Sequence, residues 1–348
     1  MLIVSWGRRR AYAPHATLGP LVVLVLCCLL FSNPVAASAG DHLPKFRQCV
    51  EICERENCGP DAEHHTPIPL LHRLLFWTCP AECDYTCQHI VTARRQAADP
   101  PLPVVQFHGK WPFHRWLGMQ EPFSVIFSAG NFAAHYNGLH SKVLAKIPAT
   151  YPMRRFYVAL AWIGMVTWFF SMVFHTRDFA VTEQLDYFAA GASVLYGLYY
   201  APVRLFHLDR PAQRPVLRVW TALCTGLYLA HVAYLRLWRW DYTYNMAANV
   251  ACGVIQNALW SWFSYNRYRR NHLAWATWPG IVVAWILIAM SLELLDFPPL
   301  WGAIDAHSLW HLGTIAPTVL WYKCVPRLFT SQFRGGMRTS SCFTTGFS

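Results

Sequence analysis

Charge is what this chain has least of. Only 14% of its 348 residues are Asp, Glu, Lys or Arg, against about 25% in an ordinary soluble domain. Acidic groups are the scarcer kind, 18 against 29 basic ones. No Asn-x-Ser/Thr sequon occurs, so glycosylation cannot mark which side of a membrane a segment faces. There is no terminal KDEL-type address, and no cysteine pair has the C-x2-C spacing of a zinc finger. Together these absences exclude a soluble globular domain and a finger-type metal knuckle. What fills the chain is apolar: 55% hydrophobic residues, with 17 Trp, 16 Tyr and 21 Phe suited to membrane interfaces. The class is a polytopic, membrane-embedded protein. A net charge of +11 would suit nucleic acid, but Lys and Arg are scattered through short loops, which topology explains better. We therefore expect no nucleic-acid partner.

The chain divides by composition. Residues 1–39 read as a signal peptide, with Arg8-Arg9-Arg10, an apolar core from Leu18 to Phe31, and Ala37-Ser38-Ala39 before Gly40. Residues 40–118 form a luminal segment carrying Cys49, Cys53, Cys58, Cys79, Cys83 and Cys87. An even count in an exported segment implies disulfides, and recurrence every four residues predicts two short helices stapled together. Sequence does not choose the pairing. The run from Gln106 to Phe113, with Trp116 and Gln120-Glu121-Pro122, mixes aromatics with Lys and His, as a stretch lying on the membrane surface would.

Residues 119–324 hold apolar runs of about twenty residues, the length a helix needs to cross a bilayer. There are seven, at 122–141, 156–175, 185–205, 217–237, 244–264, 274–294 and 300–322. The fold class is thus all-α: seven transmembrane helices preceded by a small disulfide-rich luminal segment. With a luminal start, the cytosolic connections carry eleven Lys and Arg, at 142, 146, 154, 155, 204, 210, 214, 218, 267, 269 and 270, and the luminal ones only Arg177, Arg236 and Arg239. That asymmetry obeys the positive-inside rule. Residues 325–348 read as a basic, little-structured cytosolic tail.

Five polar residues break the apolar pattern. Ser171 and His175 are four apart, as are His307 and His311, so each pair shares a helix face; Asp186 follows near the start of the third span. A lone H-x-x-x-H has little weight in a chain with 16 His. Topology adds weight, because His175, Asp186 and His307 all fall at luminal span ends. Three imidazoles suit a zinc site with a fourth position for water, so His175, His307 and His311 are the expected metal ligands. Asp186 would be a general base, or alternatively an N-cap of its helix. Ser171 would bond the water or an oxyanion, or back-bond to its own helix. Asp305 could hold a ligand's second nitrogen or cap a helix, and Glu293 reads as a loop carboxylate outside the core site. His135 and His231 read as packing or interhelical hydrogen bonds. The reading is an intramembrane metal-dependent hydrolase. Open alternatives are a ceramidase-type amide hydrolase and a non-enzymatic seven-span receptor or lipid-binding protein with structural zinc.

Several stretches resemble the post-GPI-attachment factor 3 family of glycosylphosphatidylinositol (GPI) lipid remodellers. They are Phe107-His108-Gly109-Lys110-Trp111-Pro112-Phe113, Gln120-Glu121-Pro122, Phe174-His175-Thr176-Arg177-Asp178, Asp186-Tyr187-Phe188, the run from Leu292 to Leu300, and Asp305-Ala306-His307 with Trp310-His311. The likeness covers roughly residues 45 to 325. It implies membership of a wider group with alkaline ceramidases and adiponectin-type receptors, which share S-x-x-x-H, D and H-x-x-x-H around Zn2+. The resemblance further implies removal of the sn-2 acyl chain from the lipid of GPI-anchored proteins. Residence in the Golgi membrane is implied too, with the endoplasmic reticulum as the alternative.

Overall fold

The computed structural model describes residues 38–65 and 68–340. The signal peptide lies outside them save for its last two residues, as does the end of the tail beyond Ser340. The described residues are mostly helical and contain isolated bridges but no strand.

The cysteine segment is a stapled helical hairpin. Helix α1 (Pro44–Asn57) begins with proline, whose missing N–H costs nothing in a first turn. After the single turn α2 (Leu70–Leu74), α3 (Cys79–Gln96) is capped by the Thr78 hydroxyl, which accepts from Ala81 N. Cys49, Cys53 and Cys58 face Cys87, Cys83 and Cys79 in a nested ladder of three disulfides. Below the ladder Phe46, Val91 and Phe107 close a small apolar core, with the Phe46 and Phe107 rings 4.7 Å apart.

The aromatic stretch that follows is not spread on a surface. At His108-Gly109 and again at Leu117-Gly118 both residues have positive φ, which gives two-residue turns that double the chain back on itself. The first turn buries Phe107 and points Lys110 into the protein; Phe113 is buried just beyond it. Trp116 and Leu117 at the second turn stay exposed, so the stretch is folded into turns with its aromatics divided between the interior and the surface. Arg115 is clamped between the Trp77 and Tyr85 rings and donates to Glu82, which ties the second turn to α3.

From Pro122 onward come seven helices of 17 to 35 residues: α4 (Pro122–Gly138), α5 (Arg154–Thr176), α6 (Ala180–Leu205), α7 (Arg214–Ala233), α8 (Tyr242–Asn271), α9 (Trp278–Leu295) and α10 (Ala306–Ser340). Helices α4, α5, α6, α8, α9 and α10 pack in that order and close back on α4, while α7 packs on α6 outside this ring. Glycine lets them close: a Cβ at Gly138 would strike the Tyr322 ring, and one at Gly164 would strike His135. By length and composition alone, the stretches Arg154–Thr176, Pro211–Trp238 and Ala274–Glu293 are apolar enough to cross a membrane. The others carry polar or charged groups, Asp186 and Arg204 on α6 among them.

The main apolar core sits towards one end of the ring, around Met153, Tyr157, Tyr200, Val203, Tyr322 and Val325. The expected loose tail from 325 is instead a continuation of α10 to Ser340. Val325 and Leu328 are fully buried against the ring, and Arg204 donates to the Leu328 carbonyl at 2.9 Å. The other end of the ring is polar, and there the isolated residues of the apolar pattern meet.

Candidate metal centre

His175 lies in the last turn of α5, and His307 and His311 open α10. Four-residue spacing stacks the latter pair on one face. The His307 Nε2 is 3.0 Å from that of His311 and 3.3 Å from that of His175, and one nitrogen from each ring lies within 4.8 Å of the others. His175 and His311 are almost wholly buried.

Each ring is held from behind by its other nitrogen. His175 Nδ1 donates to Glu121 Oε2 at 2.8 Å, and His307 Nδ1 to Glu293 Oε2 at 2.7 Å. His311 Nδ1 faces the Ser128 hydroxyl at 2.9 Å and the Ser124 carbonyl at 3.3 Å. In the tautomer with the proton on Nδ1, these partners would leave all three Nε2 atoms free to bind a metal. The three Nε2 atoms converge in one buried place, where a cation would relieve the crowding of their lone pairs. Carboxylates also outnumber cations nearby, with Glu121, Glu293, Asp178 and Asp186 set against Lys110 and Arg177. The donor set is therefore one that fits Zn2+ or another imidazole-binding divalent ion.

Glu121 is itself locked. Its backbone N–H donates to the His175 carbonyl at 3.0 Å, and Lys110 Nζ bonds its second oxygen at 2.5 Å. Lys110 also reaches Asp178 at 3.0 Å and sits over the Phe174 ring. Burial works against the Lys110 charge, but the Glu121 and Asp178 carboxylates outweigh it and hold the ammonium pKa above its ordinary value.

The other expected residues take these positions. Ser171, buried on α5, faces Ser128 at 3.1 Å, a cross-helix contact in place of back-bonding to its own helix. Asp186 lies in the second turn of α6, whose entry is capped by Thr182, so it is not an N-cap. It is charge-coupled to His175 and His307 and hydrogen-bonds to no described residue. Asp305 does not back a ligand; its carboxylate accepts from Ser308 N at 2.8 Å and caps α10. His135 bonds the Tyr322 hydroxyl across helices, and His231 faces that of Tyr244, as their isolation suggested. The three cysteines that also cluster, Cys58, Cys79 and Cys83, are consumed by disulfides.

Glu121, Glu293 and Ser128 back the ligands, and the sequence reading gave them no such role. For Ser128 a signal existed: Ser124, Ser128 and Asn131 form a polar stripe at helical spacing on an apolar helix. Asn131 pins that stripe to α10 through the His311 carbonyl at 2.7 Å.

A sequence profile for the Per1-like family matches residues 69–327. "Protein PER1 homolog" of Schizosaccharomyces pombe is 40% identical over 308 residues, covering 88% of this chain and 92% of that protein. "GPI-specific phospholipase A2-like PGAP3" of Cricetulus griseus is 41% identical over 295 residues, covering 82% and 88%. The Homo sapiens protein of the same name is 40% identical over 297 residues, covering 83% and 88%. No solved structure matches.

Proposed function

The chain belongs to the Per1-like family, and from that premise we propose that it is a metal-dependent ester hydrolase. Its substrate in this reading is the lipid of GPI-anchored proteins, from which it removes the sn-2 acyl chain, as the names of its relatives suggest. The observation that supports the metal chemistry is the convergence of three Nε2 atoms, each ring held from behind by a partner on Nδ1.

Zn2+ held by His175, His307 and His311 would supply Lewis acidity toward an ester carbonyl and toward water. The remaining work falls to protein groups. Glu121 and Glu293 keep the rings oriented and their tautomers fixed. Asp186, beside the ligands and free of other bonds, accepts the proton of an attacking water and returns it to the leaving alcohol. Ser171, freed from helix back-bonding, offers its hydroxyl to the oxyanion while Ser128 holds it in place.

In the same reading all seven helices span the membrane. Six of them contribute to one closed ring, and the eleven-to-three division of loop cations sets the histidine end towards the lumen. Residence in the Golgi membrane, with the endoplasmic reticulum as the alternative, follows the family resemblance.

Purified full-length protein is expected to release free fatty acid from a GPI lipid, to leave ceramide intact, and to contain bound metal. His311→Ala should lose both the metal and the release. Full activity in a metal-free His175→Ala/His307→Ala protein would overturn the scheme. Faster turnover of ceramide than of GPI lipid would move the assignment to an amide hydrolase.

A further inference from the structure

At the end of the ring remote from the histidines lies a cleft of about 460 Å³ lined by Lys142, Lys146, Trp278, Lys323, Pro326, Arg327 and Thr330. Its walls come from three places: the π-helical turn Leu139–Leu144 and the residues just after it, the start of α9, and α10. Four cations therefore face one cavity, and no carboxylate lines it. None of the four takes part in an ion pair among the described residues; Arg327 instead lies over the Trp278 ring at 5.0 Å.

The chain offers nothing that would neutralise them. Among the described residues of the connections and helix end on this side, 142–155, 204–218, 267–278 and 325–340, the one acidic residue is Asp209. Asp209 is buried, and the cleft does not include it. Like charges held around one cavity repel, so their gathering needs a compensating anion from outside. Trp278, Pro326 and Thr330 complete the wall, and the elements that form it lie towards the ends of long helices, which in the membrane-spanning reading sets the cleft at the depth of lipid headgroups.

We propose that this cleft binds the phosphorylated headgroup of an anionic lipid in the leaflet opposite the metal centre, an inference that rests on the membrane-spanning reading above. A phosphodiester alone brings one negative charge. A headgroup bearing an added phosphomonoester brings about 1.5 to 2 more and three strong acceptor oxygens, a better match to three ammonium groups and a guanidinium. The class is thus an inositol-type lipid with at least one phosphomonoester. Trp278 anchors beside the glycerol region, and Arg327, fixed on its ring, presents its fork to the phosphate.

The test uses the full chain in detergent with dioctanoyl phosphatidylinositol monophosphate, dioctanoyl phosphatidylcholine and inorganic phosphate as separate probes. The phosphorylated lipid is expected to bind at least tenfold more tightly than either of the others. Lys142→Gln/Lys323→Gln/Arg327→Gln should abolish that preference while fatty-acid release in detergent stays unchanged. Arg210→Gln/Arg214→Gln/Arg218→Gln, which removes as much charge just before and at the start of α7, outside the cleft, should keep it. Equal binding of the two lipids, or an equal loss in both triple variants, would overturn the site. Phosphate binding as tightly as the lipid would overturn the lipid assignment. Because binding in detergent does not depend on orientation, labelling of Lys146→Cys in sealed vesicles reports separately on the topology.

Discussion

Glu121 does two things at the rim of the metal centre: one oxygen orients His175 and the other receives Lys110. Removing the charge while keeping the shape weakens both contacts, and metal affinity reads the first. Glu121→Gln and Glu293→Gln are each expected to weaken metal binding about 10- to 100-fold, read by chelator competition on the full chain. Asp305→Asn should leave that affinity nearly intact, because its carboxylate serves a helix cap. The histidines were legible in sequence because their spacing and the span ends converge on one depth. Glu121 and Ser128 were not, because each meets its histidine across a long stretch of chain, 54 residues for Glu121 and 183 for Ser128. Exposed His108 gives a pH handle outside the membrane. Its bond to Asp84 raises its pKa above 6.5; burial works against this and Asp41 adds to it. A raised folded value means the stabilisation is complete below the unfolded pKa of about 6.5 and fades as pH climbs through the folded one. Thermal melts at about pH 6 and about pH 8 should therefore differ more for wild type than for His108→Gln. Equal differences would sink the linkage.

Among the elements, the disulfide ladder has the clearest energetic consequence. Cys53–Cys83 is its middle rung, joining partners with a sequence separation of 30. Cys53→Ala/Cys83→Ala is expected to lower the stability of the hairpin by about 2–5 kcal/mol. Hydrogen exchange across α1 and α3 would show it as lost protection, with the helices from α5 to α9 little changed. The stapled hairpin and the helical runs were readable from four-residue cysteine spacing and from apolar length. The turn at His108-Gly109 was not, since its composition matches an interfacial stretch and only the left-handed backbone folds it inward. The extension of α10 also escaped notice: a basic, Ser/Thr-rich composition signals a tail, while burial of Val325 and Leu328 against the ring prolongs the helix.

For the whole molecule, orientation is the testable property. In sealed vesicles with the lumen inside, a cysteine replacing Arg210 should react with an impermeant maleimide, and one replacing exposed Trp301 should react only after permeabilisation. The reverse pattern would invert the topology. Three of the helices are long and apolar enough to cross a membrane; on the others polar groups, several of them at the candidate centre, weaken that signal in the sequence. The grip of the His108-Gly109 turn on that centre has a consequence for biogenesis. A bilayer can take up the helices, but Lys110 arrives only when the turn is seated on Phe46 and Val91, a seat braced by the Cys49–Cys87 bond. Insertion and arming are on this geometry separable, and a chain threaded into a membrane while its cysteines are still reduced is expected to be anchored before its centre is assembled.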